Sequence, residues 1–178
     1  RLPASFSLLA AANPCPCGYY GDPKHTCLCR PAELMRYRRR LSGPLIDRID
    51  LFIHVERPDT KVLLEDDGTT DQARIDAVRR IQARIQGARI VQERRFEGKE
   101  HSNAKMTPAE IAVFAMPDEE GRRLLDQAAR AWALSPRAIH RVLKVARTIA
   151  DIDGRQKLKA EDVAEALAYR MPGHSAHA

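Results

Sequence analysis

Aromatic residues fill only 5% of the 178 positions, which leaves little material for stacking on single-stranded bases. No run approaches the roughly 20 apolar residues that span a bilayer. The stretch from Leu8 to Ala12 is too short and is broken by Asn13-Pro14. No signal-peptide pattern and no internal repeat are present. No segment reads Gly-x-x-x-x-Gly-Lys-Ser/Thr, so the backbone cradle that such a loop offers to nucleotide phosphates is missing from these residues. Arg1-Leu2-Pro3-Ala4 has no initiator Met and leads straight into a strand-like run. A piece of a longer protein is expected on that ground.

What is present suits a soluble globular chain: 44% hydrophobic and 30% charged residues, enough for one domain, or for part of one with a satellite. The net charge of +6 predisposes the chain to polyanions, because Lys and Arg displace counterions from phosphates. Many proteins of this charge bind nothing acidic, so charge alone does not decide the matter.

Residues 5 to 12 form a short apolar run that reads as a buried strand ending at Asn13-Pro14. Residues 14 to 31 hold four Cys, four Pro and two Gly and read as a loop; residues 32 to 40 are helix-like and basic. Ser42-Gly43-Pro44 breaks that pattern, and Ile49, Leu51, Ile53 and Val55 then alternate with polar or differently facing neighbours as in a strand. Beyond Pro58 the pattern is helical. Ile75, Val78, Ile81, Ile85 and Ala88 are spaced as an inward helical stripe over 71 to 95, and Gly98 to Asn103 reads as a polar linker. Thr107-Pro108-Ala109-Glu110 matches a capping box with Pro at the first helical position. Pro117 is expected to open a helix burying Leu124, Leu125, Ala128 and Trp132. Ser135-Pro136 is expected to cap the next, which buries Ile139, Val142, Leu143, Ala146 and Ile149. A last helix from about Ala160 to Tyr169 turns Val163, Ala164 and Leu167 inward. The pattern therefore predicts a strand-containing piece over 1 to 58, an all-helical piece over 59 to 171 and a disordered tail over 172 to 178, mostly α overall. Two strands make no stable sheet by themselves, so the first piece needs partners from elsewhere.

Cys15-Pro16-Cys17 and Cys27-Leu28-Cys29 form two Cys-x-Cys pairs. Four thiolates on one loop can close a tetrahedral zinc site, although a single residue between paired Cys is tighter than usual. A disulfide pairing and a reduced, metal-free loop are the alternatives. Disulfides suit secreted proteins, of which there is no sign here, and a cytoplasmic location is expected. His25 lies on the same loop as a spare ligand.

Arginines concentrate at Arg36, Arg38, Arg39 and Arg40, and again along 71 to 95. Each group reads either as a solvated face or as a track for a phosphate backbone. Arg48 stands apart, just after the Gly-Pro turn and at the lip of the expected strand. Its planar, permanently charged fork suits a phosphate that gains charge in a transition state, while an ion pair with Asp47 or Asp50 is the plainer reading of position alone. Arg137 and Arg141 lie one turn apart at the start of the helix opened by Ser135-Pro136, with Lys144 and Thr148 on the same face. Cations at a helix N-terminus oppose its dipole, which hints at an anion nearby.

Three segments carry a resemblance: Leu8 to Tyr19 with Asn13-Pro14-Cys15-Pro16-Cys17-Gly18-Tyr19, Leu41 to Asp50 with Leu45-Ile46-Asp47-Arg48-Ile49-Asp50, and Ser135-Pro136-Arg137 leading to Arg147-Thr148-Ile149-Ala150-Asp151. Together they resemble the C-terminal part of magnesium-chelatase-like AAA+ ATPases, in particular the YifB/ComM group of competence-related bacterial proteins. The resemblance implies that Walker A and Walker B elements lie upstream and that the strands here are late strands of an αβα core followed by a helical lid. It implies that Asn13 is sensor 1 and orients the attacking water, that Arg48 is the arginine finger reaching the next subunit's ATP, and that Arg137 is sensor 2, with Arg141 the fallback. ATP with Mg²⁺, a homo-oligomeric, hexameric ring, and DNA as the substrate of a helicase linked to branch migration in natural transformation are implied in the same way. The rival readings are a zinc-stabilised nucleic-acid-binding module with no ATPase link, and a motor for metal insertion into a tetrapyrrole. The four-Cys loop belongs to the resemblance too.

Overall fold

The computed structural model describes residues 6–40, 43–55, 71–98 and 101–170. The boundary expected at 58 and the tail expected over 172 to 178 lie outside these residues, as do Leu41 and Ser42 of the second motif. The chain divides into a small unit ending at Gly43 and a larger one from Pro44 to Pro172, and each is described by itself.

In the small unit, helix α1 spans Pro31–Arg38. Pro31 stands in its first turn, and the Glu33 carboxylate accepts the Arg30 N–H at 2.8 Å, so the helix starts where the sequence places it. No α1 residue is buried. The Tyr37 hydroxyl donates to the Asn13 carbonyl at 3.0 Å, and the Arg38 guanidinium lies 4.7 Å above the Tyr20 ring, tying α1 to the cysteine loop. The Asp22 carboxylate caps that loop by accepting the Lys24 N–H at 2.8 Å and the His25 N–H at 3.1 Å.

The strand expected over 5 to 12 is not formed at its described residues, 6 to 12, and Leu9 is 99% exposed. Nor is the strand expected over 49 to 55, where Ile53 and Val55 face solvent. Among the described residues the sole pairing of β type is an isolated bridge between Pro117 and Leu158. The reason is physical: an alternating pattern marks a segment that can enter a ladder, but the ladder itself needs a neighbouring strand to supply its hydrogen bonds.

The larger unit is helical. Helix α2 spans Gly43–Ile46 and leads into the Arg48 turn, closed by the Arg48 N–H to the Leu45 carbonyl at 2.9 Å. Helix α3 spans Asp71–Arg95, as its periodicity predicts. Its stripe is not covered, however: Ala88 is its sole buried residue, and Ile75, Val78, Ile81 and Ile85 are exposed. A helix of this length runs to about 37 Å, and Arg84 of its C-terminal half reaches Asp153 at 2.7 Å. A 3₁₀ turn, Asn103–Lys105, replaces the last residue of the expected linker.

Helix α4 spans Pro108–Phe114 with the full capping box. Glu110 accepts the Thr107 N–H at 2.6 Å, and Thr107 Oγ1 accepts the Glu110 N–H at 3.3 Å. Helix α5 spans Glu119–Ala131 with Asp118 as its cap, accepting the Gly121 N–H at 2.8 Å; Pro117 precedes that cap rather than opening the helix. Trp132, expected inside, is 38% exposed at the end of α5. Helix α6 spans Pro136–Ile152, with the Ala138 N–H donated to Ser135 Oγ at 3.2 Å. Helix α7 spans Ala160–Ala168, and buries Ala166 where the pattern had chosen Ala164. A Cβ on Gly121 would meet Pro117 Cβ at 2.8 Å and the Ala160 backbone at 3.3 Å, so the start of α5 can approach α7 only because that residue is glycine. Leu125 and Ala128 of α5, Val142, Leu143 and Ala146 of α6, and Val163 and Leu167 of α7 form the shared core with Phe96, Met106 and Ile111.

Candidate functional site

The four cysteine sulfurs lie within 4.8 Å of one another. Cys15 Sγ is 3.3 Å from Cys17 Sγ and 3.7 Å from Cys27 Sγ, and Cys17 Sγ is 3.5 Å from Cys27 Sγ. Zinc–sulfur bonds of about 2.3 Å in a tetrahedron place the sulfurs about 3.8 Å apart, so the set fits a closed four-thiolate site. Gly18 takes a φ of +84° and donates its N–H to the Cys15 carbonyl at 3.1 Å, folding the chain so that the Tyr20 N–H points at Cys15 Sγ at 3.3 Å. Such N–H···S bonds favour thiolate over thiol. The Cys17 thiol is lowered to about 6, first by the Tyr19 backbone N–H and then by Cys15. The Cys29 thiol is pushed up to about 12, first by desolvation and then by its neighbours among the other cysteines. A cation held among four sulfurs this close would favour the thiolate form of each. No disulfide joins any two of the four. His25 is outside the set: its ring stacks on Tyr19 with centroids 4.9 Å apart and faces Asp22.

Asn13 belongs to the small unit, two residues before Cys15, and its side chain is exposed. Arg48 is exposed as well, in the turn after α2 rather than at the lip of a strand. Both carboxylates beside it have other partners. Asp47 Oδ2 accepts from Ser135 Oγ at 2.9 Å and its Oδ1 faces Arg170 at 3.5 Å, while Asp50 pairs with Arg141. Arg137 is exposed in the first turn of α6. Arg141, the fallback for the same role, is half-buried. Lys144 donates to the Ala104 carbonyl at 2.9 Å, and its ammonium is held below its ordinary range, first by burial and then by Arg141.

A second charged cluster lies in the core of the larger unit, and its pairing is not evident from spacing alone. Asp151 accepts from Arg95 at 2.7 Å, from Asn103 Nδ2 at 2.7 Å and from Arg147 Nε at 3.1 Å. Arg147 is 2% exposed and also donates to the Gln156 carbonyl at 2.8 Å. Burial draws its guanidinium below the ordinary arginine range, against the pull of Asp151. Arg155 continues the network to Asp162, the buried carboxylate at the start of α7. The available signal is an Arg and an Asp four residues apart on the same face of α6 as Leu143 and Ala150.

Two family descriptions match the chain. The model for the magnesium chelatase ChlI subunit covers residues 1–63, and the model for the C-terminal part of that subunit covers residues 76–170. The chain belongs to the magnesium chelatase family. It is 38% identical over 171 residues to the competence protein ComM of Haemophilus influenzae, covering 96% of this chain and 31% of that protein. It is 36% identical over 168 residues to the protein YifB of Escherichia coli K12, covering 94% of this chain and 31% of that protein. A relative from Mycobacterium tuberculosis H37Rv, Rv2897c, is 33% identical over 172 residues, 96% of this chain and 32% of that protein. The chain thus spans about a third of the length of these curated relatives. No helix among the described residues is long and apolar enough to cross a membrane.

Proposed function

We propose that this chain is the C-terminal portion of a ring-forming AAA+ ATPase of the ComM type that remodels DNA. Asn13 acts as sensor 1, Arg48 as the finger for the neighbouring subunit and Arg137 as sensor 2. The observation that carries the reading is the anchoring of the Arg48 turn. The flanking carboxylates Asp47 and Asp50 are engaged by Ser135, Arg170 and Arg141, and the guanidinium between them is exposed. Phosphoryl transfer to water needs little covalent help from protein, so positioned cations and a polarised water account for most of the rate. The phosphate-binding loop and the groups that hold Mg²⁺ belong to the part of the protein upstream of this chain. The full-length protein is expected to hydrolyse ATP with Mg²⁺, to form a closed ring, probed by light scattering, and to turn over several times faster with branched or forked DNA. The family name favours a second reading, a motor for metal insertion into a tetrapyrrole. An ATPase indifferent to every DNA form but stimulated by a tetrapyrrole-binding partner decides for that reading and against ours.

The four-cysteine loop fits a structural zinc ion held by Cys15, Cys17, Cys27 and Cys29. A closed four-thiolate site leaves no open position for catalysis; the metal would supply folding energy to a unit in which, among the described residues, Cys15 is the sole buried apolar side chain. Protein purified under reducing conditions is expected to carry about one zinc per chain, and exchange with Co²⁺ is expected to give the absorption bands of tetrahedral thiolate coordination. Zinc near zero in protein that keeps its ring and its activity refutes the assignment.

A further inference from the structure

The turn that carries Arg48 is fastened to the start of α6 and to the end of α7 at once. On one side, Asp47 accepts from Ser135 Oγ at 2.9 Å, and Ser135 is the N-cap of α6. Asp50 pairs with Arg141, in the second turn of the same helix. On the other side, Arg170, just past α7, donates to the Ile49 carbonyl and faces Asp47, and the Phe52 N–H donates to the Tyr169 carbonyl at 2.7 Å. The residues immediately before and after Arg48, and Asp50 beyond, are therefore all held. Arg170 is buried, so its fork has little freedom.

The same end of α6 presents Arg137 and Arg141 in its first two turns. Cations there oppose the helix dipole, and Asp50 balances one of them. A displacement of the α6 N-terminus moves Ser135 and Arg141 together, and with them Asp47 and Asp50.

We propose that Asp47 and Asp50 are positioning residues: they lock the aim of Arg48 to the N-terminus of the lid helix α6, so that a movement of the lid also moves the finger offered to the neighbouring subunit's ATP. This rests on the proposed ATPase function and deepens it. Neither carboxylate touches phosphate. Each acts by fixing where the Arg48 backbone stands, and a misplacement of about 1 Å in a group that stabilises a transition state costs up to a hundredfold in rate.

The test uses full-length protein carrying Asp50→Asn, with Asp50→Glu as the conservative variant and Asp47→Asn as an independent second. Asp50→Asn is expected to lower kcat about tenfold while KM for ATP stays within about twofold, because the phosphate contacts are untouched. The pair with Arg141 is largely solvent-exposed on the Asp50 side (55%), so the melting temperature should stay within a few degrees. Asp50→Glu should recover most of the rate. Mixing Asp50→Asn subunits with subunits whose phosphate-binding loop is inactivated should restore turnover, since the defect lies in the finger offered to the neighbour. Three results overturn the coupling: a kcat within about twofold of wild type for both Asn variants, a loss that mixing does not repair, or a rise in KM that accounts for the whole effect. If Arg48→Ala itself leaves turnover intact, the finger assignment fails instead, which separates the two ideas.

Discussion

Arg48→Ala in the full-length ring should lower ATP turnover by about a thousandfold or more, the range reported by removal of arginine fingers from phosphoryl-transfer enzymes, with ring assembly and ATP affinity largely retained. Arg48 is exposed in its own subunit, and its immediate neighbour Asp47 is anchored by Ser135 and Arg170, so replacing its side chain leaves those anchors in place. The large factor arises because the guanidinium meets the phosphate only as charge develops in the transition state, so its loss falls on kcat rather than on binding. Mixing supplies the decisive readout. Arg48→Ala subunits keep an intact phosphate loop but offer no finger; loop-defective subunits offer a finger but hold no ATP. Neither population alone should turn over, and mixed rings should regain activity at the boundaries where an intact loop meets an intact finger. Failure to regain activity at any ratio, in rings shown to contain both subunits, would rule out a finger acting between subunits.

Asp151→Ala should destabilise the helical unit by about 3–5 kcal/mol, which for a unit of this size lowers the melting temperature by roughly 15–30 °C. The carboxylate is fully buried and accepts from Arg95, Arg147 and Asn103. Deleting it leaves Arg147, 2% exposed, with no counter-charge in contact, and leaves Arg95 without its main acceptor. Breaking one partner of a buried pair costs more than the pair contributes, because the remaining charge is stranded in a medium that solvates it poorly. Asp151→Asn should be nearly as damaging, since it keeps the shape but not the charge. Thermal unfolding followed by circular dichroism checks both, and a melting temperature within about 5 °C of wild type shows that the network contributes little.

The helices from Asp71 to Ala168 were legible because each boundary carries its own chemistry: Thr107 with Glu110, Ser135 before Pro136, the long periodic stretch from Asp71 to Arg95. Two kinds of feature were not. The strands expected over 5 to 12 and 49 to 55 are not formed at their described residues, because alternation cannot supply a ladder partner, and Ile75 to Ile85 keep helical spacing while exposed, since periodicity specifies a face and not what meets it. In the candidate sites, the convergence of four cysteines followed from their spacing on one loop. The engagement of Asp47 with Ser135 spans 88 residues and Arg95 meets Asp151 across 56; no local pattern encodes either. Position alone offers Arg48 a bond to Asp47 or Asp50, and it is the distant partners of those carboxylates that give the turn its order.

The long helix α3 has a consequence of its own. Its last three turns are clamped by Arg84, Gln92 and Arg95, while the turns before Arg84 keep Ile75, Val78 and Ile81 exposed. A continuous rod built this way is two materials end to end. Backbone amides near Arg95 can exchange their hydrogens only when the unit opens as a whole, whereas those near Ile75 can do so by local fraying. Protection is therefore expected to grade along a single unbroken helix, from the exposed stripe at Ile75 to the buried Ala88.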